Sequence, residues 1–216
     1  MGFDGVSLLV MAVGLVLALL AQAAVRGAVA RWSQVRSRSG FTGAQVARAI
    51  LQANGIRDVQ VEAVPGHLTD HYDPRSKTLR LSEPVYSQTS IAALGIAAHE
   101  VGHAIQDARG YAPLRFRSAW VPMASLGTNL GFWLVFAAAM MGGLRGAPGM
   151  TILGLGVFAA STIFTLVTLP VEFDASRRAM RTLEQSGVLV GDELGGARAV
   201  LNAAALTYVA AFVQSL

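Results

Sequence analysis

IAAHEVGHAIQ, residues 96–106, is the stretch around which the rest of the chain is organised. Within it, His99, Glu100 and His103 form an H-E-x-x-H pattern. In a helix, residues four apart share a face, one turn above the other, so both imidazoles can close on a single metal ion. Zinc accepts histidine nitrogen, and a carboxylate beside the first ligand can reach a water at the metal, which points to Glu100 as a general base. The flanks favour a helix here. Thr89 or Ser90 can cap its start, small and aliphatic residues run from Ile91 to Ala98, and Gly110 stops it. His99 and His103 must be neutral to ligate, so activity at such a centre is expected to fall in acid as they and Glu100 take up protons.

The surroundings are those of a membrane protein. Of 216 residues, 53% are hydrophobic and 14% charged, which is apolar for a soluble domain. The absence of cysteine excludes disulfides and thiolate metal sites. The net charge is +4, and the 17 basic residues are sixteen arginines and Lys77. These arginines flank apolar segments instead of forming one stripe with aromatics, so the basic balance speaks for membrane topology and against a nucleic-acid partner.

Residues 6–25 carry no charge over twenty positions, long enough for a transmembrane helix. Only Asp4 precedes them, whereas Arg26, Arg31, Arg36 and Arg38 follow, which places the amino terminus outside and the basic flank in the cytoplasm. A cleaved signal peptide is disfavoured, because no basic residue precedes the run and the run is too long. Residues 119–141 and 150–169 form two more apolar spans joined by the short turn Gly142 to Gly149. Arg109, Arg115 and Arg117 precede this hairpin and Arg177, Arg178 and Arg181 follow it, so both flanks are expected in the cytoplasm.

Between the first span and the hairpin, residues 41–116 are polar enough to be soluble. Thr42 can cap a helix through Gln52 that stops at Gly55. Residues 59–64 alternate like a strand, and 68–72 and 78–82 flank a turn at Asp73 to Lys77. A small sheet therefore precedes the zinc helix, and its edge could pair with an extended peptide or be mere scaffold. Asp70 and Asp73 read as turn residues. Pro170 is expected to end the third span, with a separate helix over 171–186. Asp192 can cap a last helix, apolar over 199–216, which reads as a short fourth span, an interfacial helix or a cover over the site. The chain closes on this apolar run without a polar tail, the pattern of a sequence cut short.

Catalytic zinc takes three protein ligands and one open position. Glu172 is the best third ligand, because it emerges just after the third span at the membrane face that holds the zinc helix. Asp174 is the rival, and on a helix it points roughly opposite. Ser176, one turn beyond Glu172, shares its face and could support a ligand. His67 and His71 are the remaining histidines, each more often solvated than functional in such a setting. Tyr208 reads as a packed aromatic, with an oxyanion donor as the alternative.

Three stretches, LTDHYDPRSKTLRLSEPVYSQTSIAALGIAAHEVGHAIQ, TLPVEFDASRRA and LNAAALTYVAA, resemble the YugP-type neutral zinc metallopeptidases, membrane-bound bacterial enzymes. More distantly, the layout is similar to HtpX and the CAAX prenyl proteases. Those place two transmembrane helices between an H-E-x-x-H helix and a ligand glutamate in an E-F-x-A-D-like segment. The resemblance implies zinc on His99, His103 and Glu172, with Glu100 as the base. Ser176 stands where the distant relatives have an aspartate. The expectation is thus a mainly α integral membrane protein with a zincin-like core, the H-E-x-x-H helix plus a small β-sheet, and three or four transmembrane helices. It divides into an anchor and basic flank (1–38), a cytoplasmic zincin-like region (39–118), a transmembrane hairpin (119–169) and a third-ligand helix with an apolar C-terminal helix (170–216). The expected function is zinc-dependent cleavage of membrane-associated polypeptides at the cytoplasmic face of the bacterial inner membrane. The alternatives are a non-catalytic zinc scaffold and a site-2-type intramembrane protease with an aspartate as third ligand.

Overall fold

The structure, a computed structural model, describes residues 5–215, with the side chains of 6–8, 10–11 and 122–129 left aside. In chain order the elements are α1 (Gly5–Ser33), α2 (Gly43–Ala53), β1 (Gln60–Val64), β2 (His71–Asp73), β3 (Thr78–Ser82), α3 (Glu83–Ser87), α4 (Ile91–Ala108), α5 (Ala112–Met140), α6 (Gly143–Gly146), α7 (Pro148–Gln185) and α8 (Asp192–Ser215). Helix α2 starts in a full capping box, Thr42 Oγ1 accepting from the Gln45 amide while the Gln45 side chain accepts from the Thr42 amide. Ser90 is the residue that caps α4, accepting from the Ala93 amide. Arg109 closes α4, and Gly110 beyond it takes the left-handed φ of 63°.

The sheet has the order β1-β3-β2, with β1 parallel and β2 antiparallel to β3. Central β3 turns Leu79 and Leu81 into the core on one face and carries buried Thr78 and Ser82 on the other, and β2 is left as an edge. The second strand is shorter than its pattern suggests. Leu68 sits at φ 56° and Thr69 Oγ1 donates back to the Pro65 carbonyl, so 68–70 form a turn and pairing starts at His71. That turn is pinned by Asp70, whose carboxylate accepts from the amide and hydroxyl of Ser82. The sheet is tied to α4 at Asp107, which receives the Tyr72 hydroxyl at 2.7 Å and Lys77 Nζ at 2.6 Å.

Helix α4 runs through the centre of the core. Val46, Leu79, Leu81, Leu94, Val101 and Leu183 are all fully buried around it, and each such side chain contributes roughly 1.5–3 kcal/mol. Leu183 belongs to α7, which corrects one expectation. Pro170 does not end the helix; it lies inside one continuous 38-residue helix. A proline removes one backbone hydrogen bond, but Val171, Ala175, Ala179 and Leu183 continue a buried stripe beyond it. That packing holds the helix together across the break.

Among the described residues, three helices are long and apolar enough to cross a membrane: α1 over Ala12–Ser33, α7 and α8. The span expected over 6–25 falls on α1, and its first part, with 6–8 and 10–11, lies outside the described side chains. The expected span 119–141 falls on α5, and part of it, 122–129, lies outside the described side chains. Helix α5 pairs with α7 as a hairpin through small residues. A Cβ on Gly154 would stand 2.6 Å from Val135 and one on Gly131 2.8 Å from Val157. Helix α8 is longer than its apolar run, and it packs along α1 and α7. Gln214 Nε2 donates to the Gly14 carbonyl at 2.9 Å, and the Ser215 and Thr165 hydroxyls meet at 2.8 Å.

Candidate metal centre

Helical spacing brings His99 and His103 to adjacent turns of α4, with ring centroids 4.9 Å apart and planes nearly perpendicular. The third group arrives from α7. Position 102, inside the motif, is glycine for a steric reason: a Cβ there would lie 2.5 Å from the Ala175 carbonyl oxygen. Only with that hydrogen can α4 and α7 approach closely enough to seat Glu172 against the two imidazoles. Glu172 is 2% exposed. Its Oε2 lies 3.1 Å from His99 Nε2 and 3.6 Å from His103 Nε2.

These separations suit a zinc ion. Two ligands at about 2.0–2.1 Å from a tetrahedral centre stand about 3.4 Å apart, and the two distances bracket that value. One donor atom from each of His99, His103 and Glu172 lies within 4.8 Å of the others; His103 and Glu172 are buried and the His99 side chain is 12% exposed. Glu172 Oε1 is buried without a hydrogen-bond partner among the described residues. Its nearest charge is Arg117 Nη1 at 3.0 Å. The carboxylate is thus divided, with Oε2 facing the imidazoles and Oε1 facing a cation.

The imidazoles are held from behind. Gln106 is fully buried. Its Nε2 donates to the Val171 carbonyl at 2.8 Å and to Asp174 Oδ2 at 2.9 Å. Both amide hydrogens being used, Oε1 can only accept, so the His103 Nδ1–H donates to it at 3.0 Å. Nε2 of His103 is then left unprotonated, facing Glu172, as a metal ligand must be. Ser176 Oγ stands 3.1 Å from His99 Nδ1 and orients that ring in the same way. Asp174, the rival third ligand, is occupied by Gln106 and by Arg178 Nε at 2.6 Å. It supports the centre and does not face it.

This network carries a prediction. Gln106→Leu removes the acceptor behind His103 and the side-chain tie to the Val171 carbonyl, and is expected to weaken zinc binding about 10–100-fold. A zinc titration against a competing chelator measures it. Affinity equal to wild type would remove Gln106 from the centre.

Glu100 sits on the same helix at 8% exposure and lines the cleft in front of the imidazoles. Burial, reinforced by the charge of Glu172 and opposed by His99, pushes its carboxyl up to about 7. The cleft holds about 430 Å³. Edge strand β2 and the residues around it, from Asp70 to Arg75, form one wall, and Arg117, Val121 and Tyr208 contribute to the others.

Of the other candidates from the sequence, Tyr208 and His71 line the cleft, His71 with its Nδ1 2.8 Å from the Thr69 carbonyl oxygen. His67 does not: it lines a separate cavity between α1 and the start of α4, with Arg26 and Ile96. Gln106 and Arg117 were invisible to motif reading. Gln106 lies three residues beyond His103, a spacing that shares its face and is the one local signal that could have found it. Arg117 reads as a membrane-flanking charge and gives no such signal.

With this geometry in hand, comparison with known proteins adds the lineage. A family model described as "Putative neutral zinc metallopeptidase" matches residues 7–216. A relative from Bacillus subtilis (strain 168), named "Putative membrane protease YugP", is 44% identical over 202 residues, covering 93% of this chain and 87% of that protein. No solved structure matches the chain. A match over nearly the whole length, including α4, the hairpin and α7, shows that the chain belongs to the neutral zinc metallopeptidase family.

Proposed function

We propose that the protein is a membrane-bound, zinc-dependent endopeptidase that cleaves membrane-proximal or membrane-embedded polypeptides at the cytoplasmic face of the bacterial inner membrane. The observation that carries this is the convergence of His99, His103 and Glu172 at ligand distances with Glu100 beside them in an open cleft. Zinc held there supplies Lewis-acid polarisation of a carbonyl and of a water. The rest is done by the chain. Glu100, with a carboxyl near neutrality, takes a proton from the attacking water and returns it to the leaving amine. Gln106 and Ser176 fix the imidazoles, and Arg117 holds the outer oxygen of Glu172. Edge strand β2 offers unpaired backbone groups along the cleft to a substrate in extended form. Arginines clustered at the polar ends of the apolar helices support the cytoplasmic side.

A scaffold that merely holds zinc has no use for a carboxylate buried at the mouth of the cleft. The site-2-type reading needs an aspartate facing the imidazoles, and Asp174 is turned to Gln106 and Arg178. The test uses the full chain in detergent with unfolded casein as substrate. One zinc per chain, hydrolysis abolished by a chelator and restored by added zinc is the expected result. One zinc per chain with no hydrolysis of casein or of membrane polypeptides would favour the scaffold.

A further inference from the structure

Helices α7 and α8 separate on the polar side of their apolar runs and leave a groove of about 340 Å³. Arg177, Arg181 and Arg198 converge on it, and Phe173, Leu201 and Ala205 line its membrane-ward part. The helices run antiparallel, with Ser215 of α8 beside Thr165 near the end of the apolar run of α7, so the apolar run of α8 lies along the end of that run and the turns that follow it. Arg177 stands eight residues past Leu169, the last of that run, about 12 Å along the helix axis. Arg198 is the last charge before the apolar run of α8. Both helices thus present arginine beyond the end of the α7 apolar run, on the side where the arginines gather.

The charge there is not neutralised. Arg181 and Arg198 form no ion pair among the described residues. Arg177 reaches Asp174 only at 3.6 Å, and that carboxylate is already taken by Arg178. Glu184 is the one acidic residue on the groove, so three arginines leave a surplus of two positive charges. Guanidinium forks fit phosphate oxygens two at a time, and basic pockets between membrane helices suit phosphate headgroups. The apolar part continues onto exposed Phe173 and Leu206, a path for acyl chains.

We propose that this groove binds the phosphate headgroup of an anionic membrane lipid, with the acyl chains along α7 and α8. The occupant reaches the metal centre through one residue. Ser176 lines the groove and its hydroxyl stands behind His99. The proposal rests on α7 and α8 lying in a membrane, and not on peptide hydrolysis.

The test is native mass spectrometry of the delipidated full chain, titrated with phosphatidylglycerol or phosphatidylcholine in detergent. Wild type is expected to retain one phosphatidylglycerol with at least about tenfold preference over phosphatidylcholine. R181Q/R198Q is expected to lose that preference while its zinc content stays at wild-type level, which reports an intact fold. If the double variant does not fold, R181K/R198K and each single Gln variant are read instead; the Lys pair is expected to keep most of the preference and each Gln variant to lose severalfold. Equal binding of the two lipids by wild type, or undiminished preference in the Gln variants, overturns the proposal. Full displacement by millimolar inorganic phosphate also overturns it, since the groove would then be a site for a soluble anion. Loss of peptidase activity alone leaves these readouts unmoved.

Discussion

Glu172→Ala is expected to empty the metal centre. The side chain it removes is, among the described residues, the only carboxylate within ligand distance of both imidazoles, with Oε2 at 3.1 and 3.6 Å from them. Two histidines on one helix leave zinc one protein ligand short of the usual catalytic set, so the fall in affinity should exceed the about 10–100-fold expected from a supporting residue such as Gln106. There is a second cost. Arg117 loses its partner at 3.0 Å while its Nε remains buried without a hydrogen bond, and stranding one member of a buried pair costs about 3–5 kcal/mol. With the Arg117 side chain 25% exposed, the lower end of that range or less applies. Glu172→Gln separates the two effects. It keeps volume and a polar partner for Arg117 but is a poor zinc ligand, so zinc should be lost with a smaller drop in melting temperature. Elemental analysis of zinc per chain, together with melting of both variants, reads the result. Full zinc in Glu172→Ala would show that the third ligand lies elsewhere, with His71 on the same cleft the next residue to test.

What could be read from the sequence here follows the range of each interaction. The zinc helix is a local matter: caps at Ser90 and Gly110 and two histidines four apart fix it without knowledge of the fold. Glu172 is distant in sequence, yet topology makes it legible, because a hairpin that leaves and re-enters the membrane must return its next residues to the face it left. Gln106 and Arg117 escape for the opposite reason. Their roles depend on partners 65 or more and 55 residues away, Val171, Asp174 and Glu172, brought near by the contact of Gly102 with Ala175. The continuity of α7 through Pro170 runs against local propensity. Burial of Val171, Ala175, Ala179 and Leu183 against the core outweighs one missing backbone bond. The short β2 strand has the same lesson at smaller scale: residues 68–72 read as a strand flanking the turn at Asp73 to Lys77, but the left-handed Leu68 delays pairing to His71.

Glu100→Gln separates chemistry from metal binding most sharply, because the carboxylate faces the cleft and is not among the three clustered ligands. Zinc content should remain at the wild-type level. Hydrolysis should fall by about 10²–10⁴-fold, the usual contribution of a general base. A second signature appears in the metal-free protein. Burial raises the folded-state carboxyl from 4.5 to about 7. Glu100 therefore contributes its full share of stability below the unfolded-state value, where it is neutral in both states. That share is lost as pH rises through the folded value, because the unfolded chain ionises first and draws the equilibrium towards itself. Glutamine stays neutral throughout and suffers no such loss. Metal-free Glu100→Gln should accordingly melt closer to wild type at pH 4–5 and progressively above it towards pH 8, the gap reaching at most on the order of 3 kcal/mol. Together the two readouts distinguish a buried base from an inert polar residue. A gap that is constant with pH would mean that Glu100 is solvated in the folded protein, and retained hydrolysis with zinc in place would assign the proton transfer to another group.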